Sequence, residues 1–265
     1  MGKALVLVFI LFSVVPQVHA DGDDLDDYKW RGTAFWWFSR PSGFFDGKAN
    51  SGSFDLRRDF GFGDYSTFTG NIDWRFKRKH HFIFGTSPVK SSRTVTLSRT
   101  ISFQGETYNV GTQSTADIKS FAFVPGYQYD IIRRNHGYLA LATQLNLLNT
   151  KATLSGTVTI NGQNAMRSSS GSVLAPLPII GPRVRWYPLQ NSNRLAFDGF
   201  LQGMYLFGYG DFWSGRGTVN IGLSHRWKLT TGYQLGTRLS IHGSNDRIGI
   251  RLTQKGPVAG LEASW

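Results

Sequence analysis

Residues able to do chemistry are few in this 265-residue chain, and most stand alone. His242-Gly243-Ser244-Asn245 sets a His, a Ser and an Asn together, the side chains with which a hydrolase activates a hydroxyl and orients its base. Gly, Ser, Asn and the following Asp246 are equally the residues of a turn. The segment falls where a connection is expected, so it is read as a turn and no catalytic residue is assigned. His80-His81 has no carboxylate partner at ligand spacing, so no metal site is expected. His225 stands beside Trp227 in an apolar set, as an interfacial residue would. The chain has no cysteine, which removes thiolate metal sites and disulfides. It also lacks a phosphate-binding Gly loop and a paired acidic motif. A non-enzymatic protein without a cofactor is the expectation.

The polar residues that do recur keep a period of two. Asp73, Arg75, Gln128, Asp130, Gln144, Asn146, Arg183, Arg185, Asp198, Gln202, Asn220, Arg226, Gln234, Arg238 and Glu262 fall on one side of alternating segments. Phe68, Ile72, Trp74, Phe123, Tyr127, Leu141, Leu145, Phe197, Leu201, Tyr205, Ile221, Leu223, Tyr233, Leu235 and Leu261 fall on the other. Strict alternation is the signature of a sheet between two environments. A soluble, secreted ligand-binding barrel turns the apolar side inward, whereas a membrane barrel turns it to lipid and gathers the polar side in its lumen. Three features favour inversion. Aromatic residues gather at segment ends, as at Trp74, Phe76, Tyr129, Trp186, Tyr187, Tyr209 and Trp227. Several segments outrun the five or six residues, roughly, of an average strand, and a tilted membrane strand needs about 9 to 11. Finally, the connections alternate in length.

Residues 1–20 read as a cleaved signal peptide, with a positive start at Lys3, an apolar run over 4–15 and the small-x-small ending Val18-His19-Ala20. Residues 21–28 hold five carboxylates and read as a solvated, flexible lead-in. The barrel proper is placed at 29–265. Lys and Arg number 29 against 17 Asp and Glu, a formal charge of +12. Export argues against nucleic acid as partner, and the basic surface suits anionic lipopolysaccharide. No stretch after the leader is apolar for the 18 or so residues that a membrane helix needs. Short turns are placed at 77–80, 133–137, 190–193 and 228–230, and mostly longer loops near 40–65, 104–115, 161–175, 210–215 and 242–246. These nine connections imply ten strands, with eight or twelve as alternatives. The apolar parity changes near Pro88, suggesting a bulge. Residues 53–60 read as a short helix or turn in a solvated loop, and 161–172 as a flexible exposed tip.

The chain ends Val258-Ala259-Gly260-Leu261-Glu262-Ala263-Ser264-Trp265. Gly260, Ala263 and the terminal Trp265 resemble the assembly signal at the end of Gram-negative outer-membrane barrels, although Val258 departs from that signal's polar start. The resemblance implies an outer-membrane location, outer-membrane lipid and lipopolysaccharide as surroundings, and the barrel-assembly machinery as a partner during biogenesis. The expected fold is all-β: a closed antiparallel transmembrane barrel of about ten strands with short periplasmic turns and longer extracellular loops. The expected role is structural or surface-interacting. A narrow channel for small solutes, an outer-membrane lipid hydrolase and a soluble secreted barrel are the alternatives.

Overall fold

The computed structural model describes residues 24–46, 53–160, 163–189, 192–207, 210–241 and 249–265, so the expected leader and the His242-Ser244 turn lie outside it. In chain order the strands are β1 (Trp30–Asp46), β2 (Ser53–Asp55), β3 (Tyr65–Lys77), β4 (His80–Thr96), β5 (Ile101–Phe103), β6 (Glu106–Tyr108), β7 (Gln113–Arg134), β8 (Gly137–Ile160), β9 (Gln163–Trp186), β10 (Leu195–Leu206), β11 (Gly210–Gly222), β12 (Trp227–Ile241) and β13 (Gly249–Ser264). The three-residue strands β2, β5 and β6 lie at one mouth, and the other ten form a ring of antiparallel neighbours. β13 pairs with β1 from Arg31↔Ser264 to Asp46↔Gly249, which closes the cylinder. Closure gives every ring strand a partner on both sides near the short turns, the condition for crossing a bilayer with sheet, whereas β4 beyond Thr86 and β9 before Ile180 are paired on one side only.

The cylinder carries two opposite polarities along its length. Near the short turns the outward residues are Phe123 and Tyr129 on β7, Leu139, Leu141 and Leu145 on β8, and Val184 and Trp186 on β9. Gln128, Asp130, Asn146 and Arg185 on the same strands are buried inside. Farther along, the same strands reverse. Outward positions become Lys119, Asn149, Lys151, Ser170 and Ser172, while Ala116, Ile118, Leu154, Val158, Val173 and Leu177 are buried inward. The first storey has the arrangement required by hydrocarbon, the second that of an ordinary water-soluble core. Strands β7, β8 and β9, at 22, 24 and 24 residues, are long enough to supply both.

This reversal corrects the bulge expected at Pro88. β4 pairs with β7 without a register shift from His80↔Tyr129 to Thr96↔Gln113. Phe82 and Phe84 point out in the lipid storey and Leu97 lies buried at the mouth, so the apolar residues change parity because the environment changes, not the backbone. The expected loops near 161–175 and 210–215 belong largely to β9 and β11. The short turn expected at 228–230 lies within β12; the connection is 223–226, where the Leu223 and Ser224 amides donate to the Trp227 carbonyl at 2.8 and 3.1 Å. At another short turn Gly137 holds φ +127°, and a Cβ there would stand 2.0 Å from the Arg185 carbonyl oxygen, so only glycine fits.

Candidate functional site

At the short-turn end the cylinder is closed by the chain's own lead-in, which corrects the expected solvated segment. Asp26 and Tyr28 are buried, because the barrel wall offers the lead-in carboxylates more cations than the lumen's own acids occupy. Asp26 is salt-bridged to Arg31, lies 3.3 Å from Arg185 and 3.5 Å from Arg133, and accepts a hydrogen bond from the Tyr187 hydroxyl at 2.6 Å. Arg133 also donates to Asp24 and Asp130, each at 2.9 Å. Arg185 grips both oxygens of Glu262, at 2.8 and 2.5 Å, and Lys228 stands 3.7 Å from the same carboxylate. Burial alone would raise the Asp26 pKa; Arg31, Arg185, Arg133 and the Tyr187 hydroxyl outweigh it and hold this carboxyl well below its usual range. Next to this floor His81 lies between two acids, with Nδ1 2.9 Å from Asp73 and Nε2 3.1 Å from Asp130. Both acids come from flanking strands, so spacing along the chain could not disclose them. With both ring nitrogens taken by carboxylates, His81 has none left for a nucleophile's proton.

At the loop end the closure is apolar. Residues 53–62 and the β5–β6 hairpin fold into the mouth and bury Phe54, Leu56, Phe60, Phe62, Phe103 and Tyr108. Phe54 meets Phe45, Phe60 and Phe103 at ring distances of 5.4, 5.3 and 5.1 Å. Arg99 ties the two segments together with hydrogen bonds of 2.8 and 2.5 Å to Asp59. Burial would raise the Asp59 pKa, but the Arg99 bonds and the Asp55 amide prevail and lower it. The solvated loop expected at 53–60 is thereby corrected: its apolar residues find the inward-facing apolar storey.

Between floor and roof lies a chamber with about 260 Å³ of water-accessible space. Of the residues expected in the lumen, Asp73, Gln144, Asn146, Arg183, Arg185, Asp198, Gln202, Asn220, Gln234 and Glu262 line it, and Gln128 and Asp130 are buried beneath it. Arg75 sits at the floor's rim, bonded to the Asp26 carbonyl at 3.1 Å and to Asp27. Two expectations are corrected. Arg226 is exposed in the 223–226 turn. Arg238 points outward, 61% exposed and 3.1 Å from Asp211, because a register shift between Gln234 and Thr237 exchanges the faces of β12 and sends Leu239 inward. Arg31, Arg133, Tyr187, Arg216 and Lys228 were not read as interior residues. Arg133 and Lys228 fall in turns expected from the sequence and Arg216 adjoins an expected loop, while the polar set Lys29, Arg31 and Thr33 gives way to Phe35 and Trp37 on the same face. The expected lipid-facing residues Phe68, Ile72, Phe123, Leu141, Leu145, Phe197, Leu201, Tyr205, Ile221, Tyr233, Leu235 and Leu261 are all exposed on the outer wall, and Leu223 is exposed in the 223–226 turn. Trp74 and Tyr127 are half-covered by aromatic neighbours, Trp74 stacking on Trp30 at 5.2 Å. At the chain end Gly260 packs on the Ala34 carbonyl, Ala263 is buried opposite Gly32, and Trp265 exchanges backbone hydrogen bonds with Trp30.

A second feature lies on the outer wall. Lys90 is directly opposite Lys119, and Lys119 directly opposite Lys151, across β4, β7 and β8. All three are exposed. Among the described residues none of them has a carboxylate within 4 Å. They sit just above outward Phe121, where the apolar band gives way to the polar storey.

No protein-family model matches the sequence, and no curated protein matches it. Among solved structures, the outer-membrane protease OmpT from Escherichia coli aligns with a TM-score of 0.57 at 10% identity, over 94% of this chain and 99% of that one. Ail of Yersinia pestis gives 0.39 at 11% identity over 88% and 99%, and the Pseudomonas putida toluene transporter TodX gives 0.35 at 7% over 93% and 91%. The chain thus has the fold of small Gram-negative outer-membrane β-barrels, a fold shared by proteins of different activities.

Proposed function

We propose that this protein is an integral barrel of a Gram-negative-type outer membrane, without enzymatic activity, whose outer wall binds the phosphate groups of an anionic glycolipid such as lipopolysaccharide. The observation that carries this reading is the row formed by Lys90, Lys119 and Lys151. Like charges directly opposite one another destabilise a sheet, and these three stand at the level of a lipid headgroup rather than in a loop. An external phosphate turns that repulsion into attraction. A narrow solute channel is the runner-up, and the ion-paired floor and the aromatic roof both weigh against it. The hydrolase alternative gains no support from His81, whose two nitrogens are both engaged.

The test compares the intact protein with a Lys90→Gln, Lys119→Gln, Lys151→Gln variant in phosphatidylcholine vesicles with and without lipopolysaccharide. Stability is read as the temperature at which the folded band converts on SDS gels. Lipopolysaccharide should raise this temperature for the native protein and not for the variant, while in phosphatidylcholine alone the variant should be at least as stable. Equal stabilisation of both proteins by lipopolysaccharide would overturn the reading.

A further inference from the structure

The chamber wall holds two guanidinium groups that no described carboxylate reaches at ion-pair distance; Asp198 acts on both, and Asp73 on Arg183, only from farther away. Arg183 on β9 is opposite Phe200 on β10, and Phe200 is opposite Arg216 on β11. The two arginines therefore occupy one level, two strands apart, or about 9.5 Å at ordinary strand spacing. Both line the chamber. Among the described residues neither has an acidic group within 4 Å nor a hydrogen bond to protein. The other chamber arginines are taken: Arg31 by Asp26, and Arg185 by Glu262 and Asp26. The chamber acids are engaged too. Asp73 is held by His81 and Tyr28, Glu262 by Arg185, and Asp198 leans toward Arg185 at 3.6 Å.

We infer that the chamber is a binding site for a small amphipathic organic anion, its acidic head held by Arg183 and Arg216 and its apolar body lying toward the roof. Arg216 stands over the rings of Phe35 and Phe200, at 4.1 and 5.1 Å, contacts that fix the guanidinium's position without cancelling its charge. Three residues of the chamber wall also keep unused hydrogen-bond donors: Arg216 Nε, Trp37 Nε1 and the Gln202 amide are buried without a protein acceptor. A buried donor left unmatched is costly, and a carboxylate or phosphate monoester supplies acceptors that such donors can use. Above them the wall turns apolar at Phe45, Phe62, Phe212 and Leu239. The volume, just below the usual range of about 300 to 1,000 Å³ for small-molecule sites, selects a short hydrocarbon body. This site goes beyond the glycolipid reading and does not depend on the outer lysine row.

Isothermal titration calorimetry on the intact protein in dodecyl maltoside, with octanoate, octyl phosphate and 1-octanol as probes, tests the inference. One or both anions should bind with one site per barrel and at least tenfold more tightly than 1-octanol, and their relative strength distinguishes a carboxylate from a phosphate ligand. Arg183→Gln and Arg216→Gln should each weaken anion binding at least tenfold and leave the weak binding of 1-octanol unchanged. Ala122→Phe, which fills the chamber from a wall position away from the arginines, should abolish binding of all three; it carries the test if an arginine variant fails to give the heat-modifiable folded band. The inference is overturned if neither anion binds, if 1-octanol binds as tightly as the anions, or if anion affinity survives in the folded variants.

Discussion

Glu262 accepts both Arg185 nitrogens, at 2.8 and 2.5 Å, and has Arg31 and Lys228 at 3.8 and 3.7 Å. None of these four side chains is more than 6% exposed. Removing one partner of a buried pair leaves the other charge uncompensated, typically at about 3–5 kcal/mol. Glu262→Gln should therefore lower the conversion temperature on SDS gels markedly. Arg238→Gln breaks a pair with Asp211 whose cation is 61% exposed, close to the surface class worth about 0–1 kcal/mol, and should change that temperature far less. Equal behaviour of the two variants would show that the interior network contributes little. Asp26 adds a pH dependence. Its carboxyl titrates below the ordinary value of 3.8, so its stabilising contribution is complete above that value and fades only as the pH falls below it. Between pH 7 and pH 5 the native protein and Asp26→Asn should differ by a constant stability gap, and that gap should narrow only in stronger acid; a gap that closes by pH 5 would contradict the shift.

At the scale of the strand, the two storeys predict opposite answers for one substitution at two positions of like parity. Phe84 and Thr96 both point out from β4, Phe84 within the apolar band and Thr96 above it. An arginine on the lipid face near mid-membrane costs about 2–4 kcal/mol and almost nothing in water. Phe84→Arg should reduce the yield of folded barrel in lipid vesicles, and Thr96→Arg should not; similar yields would remove the boundary placed between them. The lower storey was legible because its alternation is strict: Phe123 against Gln128, or Leu145 against Asn146, already separates lipid from lumen. The upper storey was not, since inward Ile118 and outward Lys119 reverse the rule partway along an unbroken strand, and the reversal imitates a bulge at Pro88. Lys228 was lost to a misplaced turn, and Arg238 to a register shift that leaves no mark in the alternation. The interior acids of the lead-in were illegible for another reason: a run such as Asp23-Asp24-Leu25-Asp26 looks solvated until the guanidinium groups that receive it are assembled from distant strands.

For the whole molecule, floor and roof close one conduit in series. Current through a conduit with two closures in series is set by the tighter one, so opening either alone leaves the path blocked. Deleting residues 21–28 removes Asp26 and Tyr28 from the floor but leaves Phe54, Phe60 and Phe103 packed across the mouth. Replacing both 54–62 and 101–108 with Gly-Ser segments opens the mouth and leaves Asp26 bound to Arg31, Arg133 and Arg185. In planar bilayers the native protein and each single variant should pass no steady current, and the combined variant should conduct. Its current should favour anions, because loss of the lead-in carboxylates exposes Arg31, Arg133 and Arg185 to the path, and a ring of cations in a narrow pore selects against cations. Steady conduction by the native protein would restore the channel reading, and conduction by either single variant would show that the other closure does not seal. Cation preference in the combined variant would mean that Asp130 and Glu262, rather than the arginines freed at the floor, dominate the field along the axis.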